Sequence, residues 1–284
     1  MVISTETKII GLLGYPLIQS YSPVMQNTAF QDCKLNKTYI PIEVKHNDLD
    51  TVVKGISKMN FDGFNITKPY KIDIIKYLDE IDEYARLIGA VNTVKISNGI
   101  LKGFNTDGTG FLRSFEEGAK TKIDGKNVFI LGSGGAARAI AITLALNKAE
   151  KIYICNRTYE KAVSLAADVS ELRNCVAIHM EYKEMEKAIN DSHILINTTS
   201  VGMFPNIDES PLNSDLFDKN LIVCDIVYNP MKTKLLKDAE EKGCKIVPGL
   251  SMFVYQGAEA FEIWTNTKAP TEIMFKVVEE GLKS

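Results

Sequence analysis

The sequence predicts an α/β protein of two domains, the second of which contains a doubly wound, parallel sheet. Its 284 residues are enough for two domains of ordinary size. Short β-like runs alternate with helical patterns along almost the whole chain, which is typical of βαβ units. One of these runs, at 127–132, leads directly into a glycine-rich turn and a helix, as the first strand of a doubly wound domain does.

The boundary between the two predicted domains lies at residue 107. The first domain covers residues 1–107, and the second covers residues 108–248. Two amphipathic helices follow, at 250–264 and 270–282. No predicted strand comes after them, so we expect residues 249–284 to return to the first domain and complete it.

The first domain is predicted to contain a largely parallel sheet, because helices separate most of its strands. Ser22 is the predicted N-cap of its first helix, with Pro23 at the first helical position. Asn98 and Gly99 supply the turn of a hairpin. The predicted strands are 8–14, 38–44, 61–67, 91–97 and 100–105, and the predicted helices are 22–33, 47–58 and a stretch from 72 to 78.

The second domain shows the cleaner alternation of strands and helices. Two crossover helices are predicted after its first and second strands, at 136–149 and 159–169. The predicted strands are 127–132, 151–156, 175–180, 193–199, 221–227 and 245–249. This order of elements indicates the Rossmann type of doubly wound domain.

Composition excludes several classes of protein. The net charge of −3 gives no overall field that would recruit nucleic acid or an acidic membrane, so we expect neither as a partner. Five scattered cysteines without a CxxC pair argue against a disulfide framework and a zinc site, and they suit a reducing cytoplasm. No apolar run approaches the length of a membrane span, and the first twenty residues do not resemble a signal peptide. We therefore expect a cytoplasmic protein without a bound metal.

The glycine-rich turn is the first candidate binding site. Gly132 permits a tight turn, while Gly134 and Gly135 allow the backbone to approach a pyrophosphate at the helix N-terminus. Ser133 and Ala136 complete the predicted contact surface. The spacing is GxGGAA rather than GxGxxG, so a plain strand-to-helix turn is the alternative interpretation.

The end of the next strand predicts which dinucleotide would bind. A domain that binds NAD usually has an acidic residue here for the ribose hydroxyl, whereas this chain has Asn156, Arg157 and Thr158, with Lys161 one turn later. A guanidinium can bind a 2′-phosphate with two hydrogen bonds, and a carboxylate would repel it. The segment therefore favours NADP over NAD, unless Arg157 is simply a solvated residue after a strand.

Eight short motifs together resemble the shikimate dehydrogenase family, in order and over nearly the whole chain. They are GYPLIQSYSP (14–23), FNITKPYK (64–71), AVNTV (90–94), GFNTDGTG (103–110), GSGGAAR (132–138), NRT (156–158), VYNP (227–230) and GLSMFVYQGAEAFEIWT (249–265). The resemblance implies an NADP-dependent oxidoreductase that reversibly reduces 3-dehydroshikimate to shikimate, in the biosynthesis of chorismate and the aromatic amino acids.

The resemblance also implies roles for individual residues. In such enzymes a serine pair like Ser20 and Ser22 holds the substrate carboxylate, and Tyr228 reaches the substrate from the cofactor domain. The positions that match contacts to the ring hydroxyls are Thr67, Asn92, Asp107 and Gln256. The implied cofactor contacts include Ile226 and Gly249 in addition to the residues named above.

Lys71 and Asp107 are the predicted catalytic pair. An alkoxide develops when hydride reaches the carbonyl carbon, and a lysine ammonium beside a carboxylate can donate the proton it needs. The chain has only three histidines, so a His–Asp arrangement is less plausible than this Lys–Asp pair. Without the match to the motif NxTxPxK, Lys71 would be interpreted as a solvated surface residue.

This chain departs from the family pattern at two positions, where Gln19 and Gln26 replace usual histidines. A glutamine keeps a hydrogen-bonding amide but does not titrate near neutral pH. Two alternatives stay open: a quinate/shikimate dehydrogenase that uses both NAD and NADP, and a module that senses NADP without catalysis. We expect a monomer or a homodimer.

Overall fold

The computed structural model describes residues 3–17 and 20–283, which form two compact units. Unit 1 contains the described residues up to Thr106 and those from Gln256 onward, and unit 2 runs from Asp107 to Tyr255. The second boundary therefore lies seven residues after the predicted one. The reason is that the first turns of the following helix pack within unit 2, where Phe253 stacks on Tyr228 at 4.1 Å between ring centroids.

Unit 1 is built around a mixed sheet. Its elements are β1 (Lys8–Gly14), α1 (Ser22–Asp32), β2 (Lys37–Glu43), α2 (Leu49–Ile56), β3 (Phe61–Ile66), β4 (Glu80–Ile81), α3 (Glu83–Ile88), β5 (Thr93–Ser97) and β6 (Ile100–Phe104). The strand order is β2-β1-β3-β5-β6-β4. Strand β1 pairs in parallel with β2 and β3, whereas β5 is antiparallel to both β3 and β6.

The predicted hairpin of unit 1 is confirmed, and together with the antiparallel pairing of β3 and β5 it makes the sheet a mixed one. Asn98 and Gly99 form the turn between β5 and β6, both with positive φ, at 52° and 79°. Two further details were not predicted. The stretch expected to be helical before residue 78 is a 3₁₀ turn at Asp73–Tyr77, and the short strand β4 follows it.

Unit 2 has the doubly wound architecture that its sequence predicts. Its elements are α4 (Asp107–Ala119), β7 (Asn127–Leu131), α5 (Gly135–Leu146), β8 (Lys151–Cys155), α6 (Tyr159–Ser170), β9 (Asn174–Ile178), α7 (Tyr182–Asn190), β10 (Ile194–Asn197), β11 (Ile222–Asp225), α8 (Lys234–Glu241) and β12 (Lys245–Val247). The strands are all parallel in the order β12-β11-β10-β7-β8-β9, so the order reverses beside β7. Ligands of such sheets bind at the carboxyl ends of the strands near this point.

The last two helices are α9 (Leu250–Thr265), which starts in unit 2 and ends in unit 1, and α10 (Thr271–Lys283). Phe261 of α9 stacks on Phe30 of α1, with 5.3 Å between ring centroids. Trp264 donates its indole N–H to the carbonyl oxygen of Val94 in β5 at 3.0 Å. Gly63 is required at this contact because a Cβ atom there would collide with the Trp264 indole. The C-terminal helices thus return to the first domain, as predicted.

All five cysteines belong to the described residues and are free thiols. None of the helices in the described part of the chain combines the length and the apolarity that a membrane crossing requires.

Candidate functional site

The glycine-rich turn joins the end of β7 to the start of α5. Gly132 has a φ of +106°, which disfavours any residue with a side chain, and a Cβ atom there would collide with the hydroxyl of Thr198. Thr198 is held in place because its backbone N–H donates to the Leu131 carbonyl at 2.8 Å. Gly134 is the N-cap of α5, and a Cβ atom on it would meet no atom within 4 Å. The N-terminal amides of α5 are therefore open to an anion such as a pyrophosphate.

The segment after β8 places exposed cations beside a second helix N-terminus. Arg157, Thr158 and Lys161 are exposed, and Thr158 is the N-cap of α6. The side-chain amide of Asn156 donates to the Thr158 carbonyl at 2.9 Å, which stabilises the turn. Residues 155–158 include no acidic side chain, so the electrostatics of this turn suit a phosphate rather than a ribose hydroxyl.

The loops after β10 and β11 are tied together by the buried carboxylate of Asp225. It accepts hydrogen bonds from the Asn197 amide at 3.0 Å, the Val227 backbone N–H at 3.0 Å and the Thr233 hydroxyl at 2.7 Å. Only 2% of Asp225 is exposed, and this burial raises its pKa to about 7, although the three hydrogen bonds favour the charged form. Asp225 thus fixes the start of the loop that carries Ile226 and Tyr228.

Ile226 and Gly249 meet at the same end of the sheet. A Cβ atom on Gly249 would lie 2.6 Å from the carbonyl carbon and oxygen of Ile226, so only glycine permits this approach of two backbones. The structure therefore brings together these two predicted cofactor residues.

The serine pair of unit 1 lies at the start of α1. The Ser22 backbone N–H donates to the Ser20 hydroxyl oxygen at 3.3 Å, so the two side chains are neighbours. The prediction that Ser22 caps α1 is wrong, because Tyr21 occupies the N-cap position and no side chain caps the helix. Ser22 is nevertheless buried at this end of the helix, with 9% of its surface exposed.

Thr67 and Lys71 lie on the turn that follows β3. Tyr70 anchors this turn, since its buried hydroxyl donates to the Val44 carbonyl at 2.5 Å and its N–H donates to the Thr67 carbonyl at 3.0 Å. The Lys71 carbonyl accepts from the Val91 N–H at 2.7 Å. Both residues are partly buried, and these backbone hydrogen bonds fix their positions on the turn.

Asn92 is the centre of a buried polar cluster in unit 1. Its side-chain oxygen accepts from the Thr106 N–H and the Thr93 hydroxyl, both at 2.9 Å, and its amide donates to the Thr106 hydroxyl at 2.9 Å. The Thr106 hydroxyl donates in turn to the Gln256 carbonyl at 2.9 Å. The predicted substrate residues Asn92 and Gln256 are therefore linked through Thr106.

Asp107 follows Thr106 and is the first residue of α4, with 5% of its surface exposed. It belongs to unit 2, whereas Lys71 belongs to unit 1.

Gln26 is fully buried in α1 and donates to the Gly257 carbonyl at 2.8 Å. The other departure from the family pattern, Gln19, lies outside the described residues.

Comparisons with known proteins match almost the whole chain. Residues 12–94 match the model of the shikimate dehydrogenase substrate-binding domain, residues 116–227 that of shikimate/quinate 5-dehydrogenase, and residues 249–279 that of the shikimate 5′-dehydrogenase C-terminal domain. A shikimate dehydrogenase (NADP⁺) of Methanopyrus kandleri is 43% identical, over 99% of this chain and 98% of the relative. The chain belongs to the shikimate dehydrogenase family.

Solved structures of the shikimate dehydrogenase family agree with this assignment. A shikimate dehydrogenase in complex with NADP⁺ superposes with a TM-score of 0.91 at 40% identity, covering 99% of this chain and 98% of that one. The Listeria monocytogenes enzyme in complex with shikimate and NAD gives a TM-score of 0.90 at 40% identity, covering 97% of this chain and 98% of that one. The resemblance and the two-domain α/β fold inferred from the motifs are confirmed.

Sequence reasoning missed several residues of the polar cluster in this family member. Asn65 and Thr106 lie inside the motifs FNITKPYK and GFNTDGTG, and a polar residue at a buried strand end was the available signal. The sequence contains no signal that Tyr39 belongs to this cluster. Tyrosine is common in strands, and the alternating pattern of its segment predicts only a β-strand.

Asp225 predicts a pH dependence of stability. An unfolded aspartate has a pKa of about 3.9, so between pH 4 and 7 the folded chain binds more protons than the unfolded chain. Stability contributed by this group must fall as pH rises through that window, by at most about 1.4 kcal/mol per pH unit. Urea unfolding of Asp225→Asn at pH 5 to 8 should show a flatter profile than that of the wild type.

The matched control for this prediction is Asp208→Asn, which changes an exposed aspartate of the same unit. Its profile should follow that of the wild type. If Asp225→Asn and the wild type lose stability equally between pH 5 and 7, Asp225 is not the group responsible.

Proposed function

We propose that this chain catalyses the reversible, NADPH-dependent reduction of 3-dehydroshikimate to shikimate, a step in chorismate and aromatic amino-acid biosynthesis. The observation that carries the proposal is the buried hydrogen-bond network of unit 1. It connects Asn92 through Thr106 to the Gln256 backbone, and both are positions that the family uses for substrate. A small ring with hydroxyls and one carboxylate needs such short, fixed polar groups.

The residues of unit 2 suit NADP. When it is bound, NADPH supplies the hydride that the reaction requires. The open N-terminus of α5, with Gly132, Ser133, Gly134, Gly135 and Ala136, suits the pyrophosphate. The 2′-phosphate is suited by the segment after β8, which contains Asn156, Arg157, Thr158 and Lys161. Two of these residues are cations, the N-terminus of α6 lies beside them, and residues 155–158 contain no carboxylate. Ile226 and Gly249 complete the proposed cofactor surface.

The substrate is proposed to be held mainly by residues of unit 1. The hydroxyls of Ser20 and Ser22 donate hydrogen bonds to the substrate carboxylate, and these bonds are charge-assisted because the acceptor is ionised. Thr67, Asn92, Asp107 and Gln256 bind the ring hydroxyls, and Tyr228 supplies a further contact. Asn92 suits this role because the contacts with Thr93 and Thr106 fix its amide in one orientation.

Lys71 is proposed to move the proton. In the reduction, its ammonium Nζ gives a proton to the carbonyl oxygen as that oxygen gains negative charge, and Lys71 is left as a neutral amine that regains a proton from water. In the oxidation, the neutral amine removes the proton of the substrate hydroxyl. The Asp107 carboxylate orients the substrate hydroxyl by accepting a hydrogen bond from it.

The proposal extends to where the chain acts and in what state. We place it in the cytoplasm as a monomer or a homodimer, with small molecules as its ligands. Its five scattered cysteines, which are free thiols, suit a reducing compartment.

The absorbance of reduced nicotinamide tests the proposed function directly. Shikimate and quinate should each be assayed with NADP and with NAD, using the full chain. We expect strong activity only with shikimate and NADP. Comparable activity with quinate and NAD would assign the chain to the dual-specificity branch, and no activity in any of the four mixtures would favour a module that binds NADP without catalysis.

Replacement of Lys71 tests the proton transfer. Lys71→Ala should lower kcat by about a thousandfold, because general acid–base catalysis contributes roughly 10² to 10⁴ to the rate. NADP binding, measured by calorimetry, should stay within twofold of the wild type. Lys68→Ala, an exposed lysine of the same segment, is the control and should retain wild-type turnover. Near-normal turnover of Lys71→Ala would rule out the assigned role.

Replacement of Arg157 tests the choice of cofactor. Arg157→Ala should raise KM for NADP about tenfold or more, since hydrogen bonds to charged groups contribute roughly 1.5–3 kcal/mol. KM for NAD should change less than twofold, because NAD lacks the 2′-phosphate. Arg173→Ala, another exposed arginine of unit 2, serves as the control. Equal increases for both cofactors would contradict a contact with the 2′-phosphate.

A further inference from the structure

Three buried polar side chains of unit 2 join the ends of two strands to the start of a helix. They are Asn197, the last residue of β10, Asp225, the last residue of β11, and Thr233, the N-cap of α8. None of the three exposes more than 2% of its surface. We name them the loop cluster, because the loops after β10 and β11 start at the first two members and the second loop ends at the third.

The hydrogen bonds of the loop cluster point toward Asp225. The Asn197 oxygen accepts from the backbone N–H and the hydroxyl of Thr199, at 3.0 and 2.7 Å, so its amide nitrogen faces Asp225 and donates at 3.0 Å. The Thr233 oxygen accepts from the Leu236 N–H at 3.4 Å, which leaves its hydroxyl proton for Asp225, at 2.7 Å. The carboxylate thus accepts from two different segments and fixes them relative to each other.

The loop after β10 continues from Asn197 directly to the glycine-rich turn. The backbone N–H and the hydroxyl of Thr198 both donate to the Leu131 carbonyl, at 2.8 and 2.5 Å. This carbonyl precedes Gly132, where a Cβ atom would collide with the Thr198 hydroxyl. Because Asn197 immediately precedes Thr198, its position determines how this loop meets the turn that is proposed to bind the pyrophosphate.

The loop after β11 carries further proposed cofactor contacts and is closed by the loop cluster. The Ile226 N–H donates to the Asn197 carbonyl at 3.1 Å, and the Ile226 backbone lies against Gly249. Asp225 and Thr233 flank this loop, and their hydrogen bond spans eight residues of the chain. Both ends of the loop are therefore held by the same carboxylate.

We propose that the loop cluster is a positioning unit that holds the loops after β10 and β11 in the arrangement that binds the dinucleotide. The inference rests on the proposed function, in which Gly132, Ile226 and Gly249 bind NADP. The three members act through the loops and not by contact with the cofactor. A loop that is already held in its binding arrangement loses less entropy when the cofactor binds, so the affinity is higher.

The position of the loop cluster in the sheet predicts which ligands it affects. Strand β7 separates β10 and β11 from β8, whose end carries the segment proposed for the 2′-phosphate. The loop cluster should therefore affect NADP and NAD equally, because the two cofactors differ only in that phosphate. Shikimate should be affected much less, since residues of unit 1 are proposed to hold most of it.

Thr233→Val removes the hydroxyl and keeps the shape of the side chain. At pH 8, above the Asp225 pKa of about 7, the carboxylate is ionised and needs this donor. Titration calorimetry with the full chain should show dissociation constants about tenfold higher for both NADP and NAD, since the lost hydrogen bond is to a charged group. KM for shikimate and kcat should change less than threefold. Thr233→Ser restores the hydroxyl and should bring both dissociation constants back to within threefold of the wild type.

The matched control is Thr143→Val. Thr143 is also completely buried in unit 2, and its hydroxyl donates at 2.6 Å to the Ala139 carbonyl within the same helix. This variant loses a buried hydroxyl on which no loop depends, so both dissociation constants should equal those of the wild type. The inference is overturned if Thr233→Val binds both dinucleotides within twofold of the wild type, if it weakens NADP alone, or if Thr233→Ser restores neither constant.

Two further outcomes separate the inference from the proposed function and from folding. A wild type that binds NADP but oxidises neither shikimate nor quinate contradicts the proposed function, and calorimetry on the variants still decides the role of the loop cluster. If circular dichroism shows that Thr233→Val does not fold, Asp225→Asn takes its place, since one acceptor oxygen becomes an amide group that can only donate. Unchanged affinity of Asp225→Asn for both dinucleotides at pH 8 would then overturn the inference.

Discussion

Buried amides and hydroxyls must find hydrogen-bond partners, and this requirement organises unit 1. One chain of hydrogen bonds runs from Tyr39 through Asn65 to Asn92, and then through Thr106 to the backbone of α9. Its members come from β2, from β3, from the residue before β5 and from the two segments that precede and follow unit 2 in the sequence. Because an unsatisfied buried group costs about 1–3 kcal/mol, these segments stay in one arrangement. Pieces of sequence more than 200 residues apart thereby present their polar side chains together.

Unit 2 uses close backbone approach where unit 1 uses side-chain hydrogen bonds. Gly132 and Gly249 are the positions at which a side chain would collide with the neighbouring loop, and each lies at the carboxyl end of the parallel sheet. The buried Asp225 then ties the loops after β10 and β11 to each other. A surface made of backbone amides and short loops suits a long, polar cofactor, whereas individually placed side chains suit a small, polyhydroxylated ring.

The fold was largely predictable because hydrophobic periodicity and glycine carry local information. The strand–turn–helix around Gly132 and the hairpin at Asn98 and Gly99 depend on neighbouring residues alone, and both were predicted. The N-cap of α1 was not, because Ser22 has the local preference for that position whereas Tyr21 occupies it in the folded chain. The mixed sheet and the link from Asn92 to Gln256 also depend on pairing between distant segments, which periodicity does not encode.

The same constraint explains why the replacement of histidine by glutamine at position 26 is tolerated. Gln26 is fully buried and its amide donates to the Gly257 carbonyl, one residue after Gln256. An imidazole N–H could make the same single donation, so the contact between α1 and α9 survives the exchange. The cost is the glutamine oxygen, which accepts no hydrogen bond from the described residues. That cost is confined to one atom, while loss of the donor would release the contact of α1 with the middle of the helix that carries Gln256. Retention of a donor, rather than of a titratable ring, is therefore what this position requires.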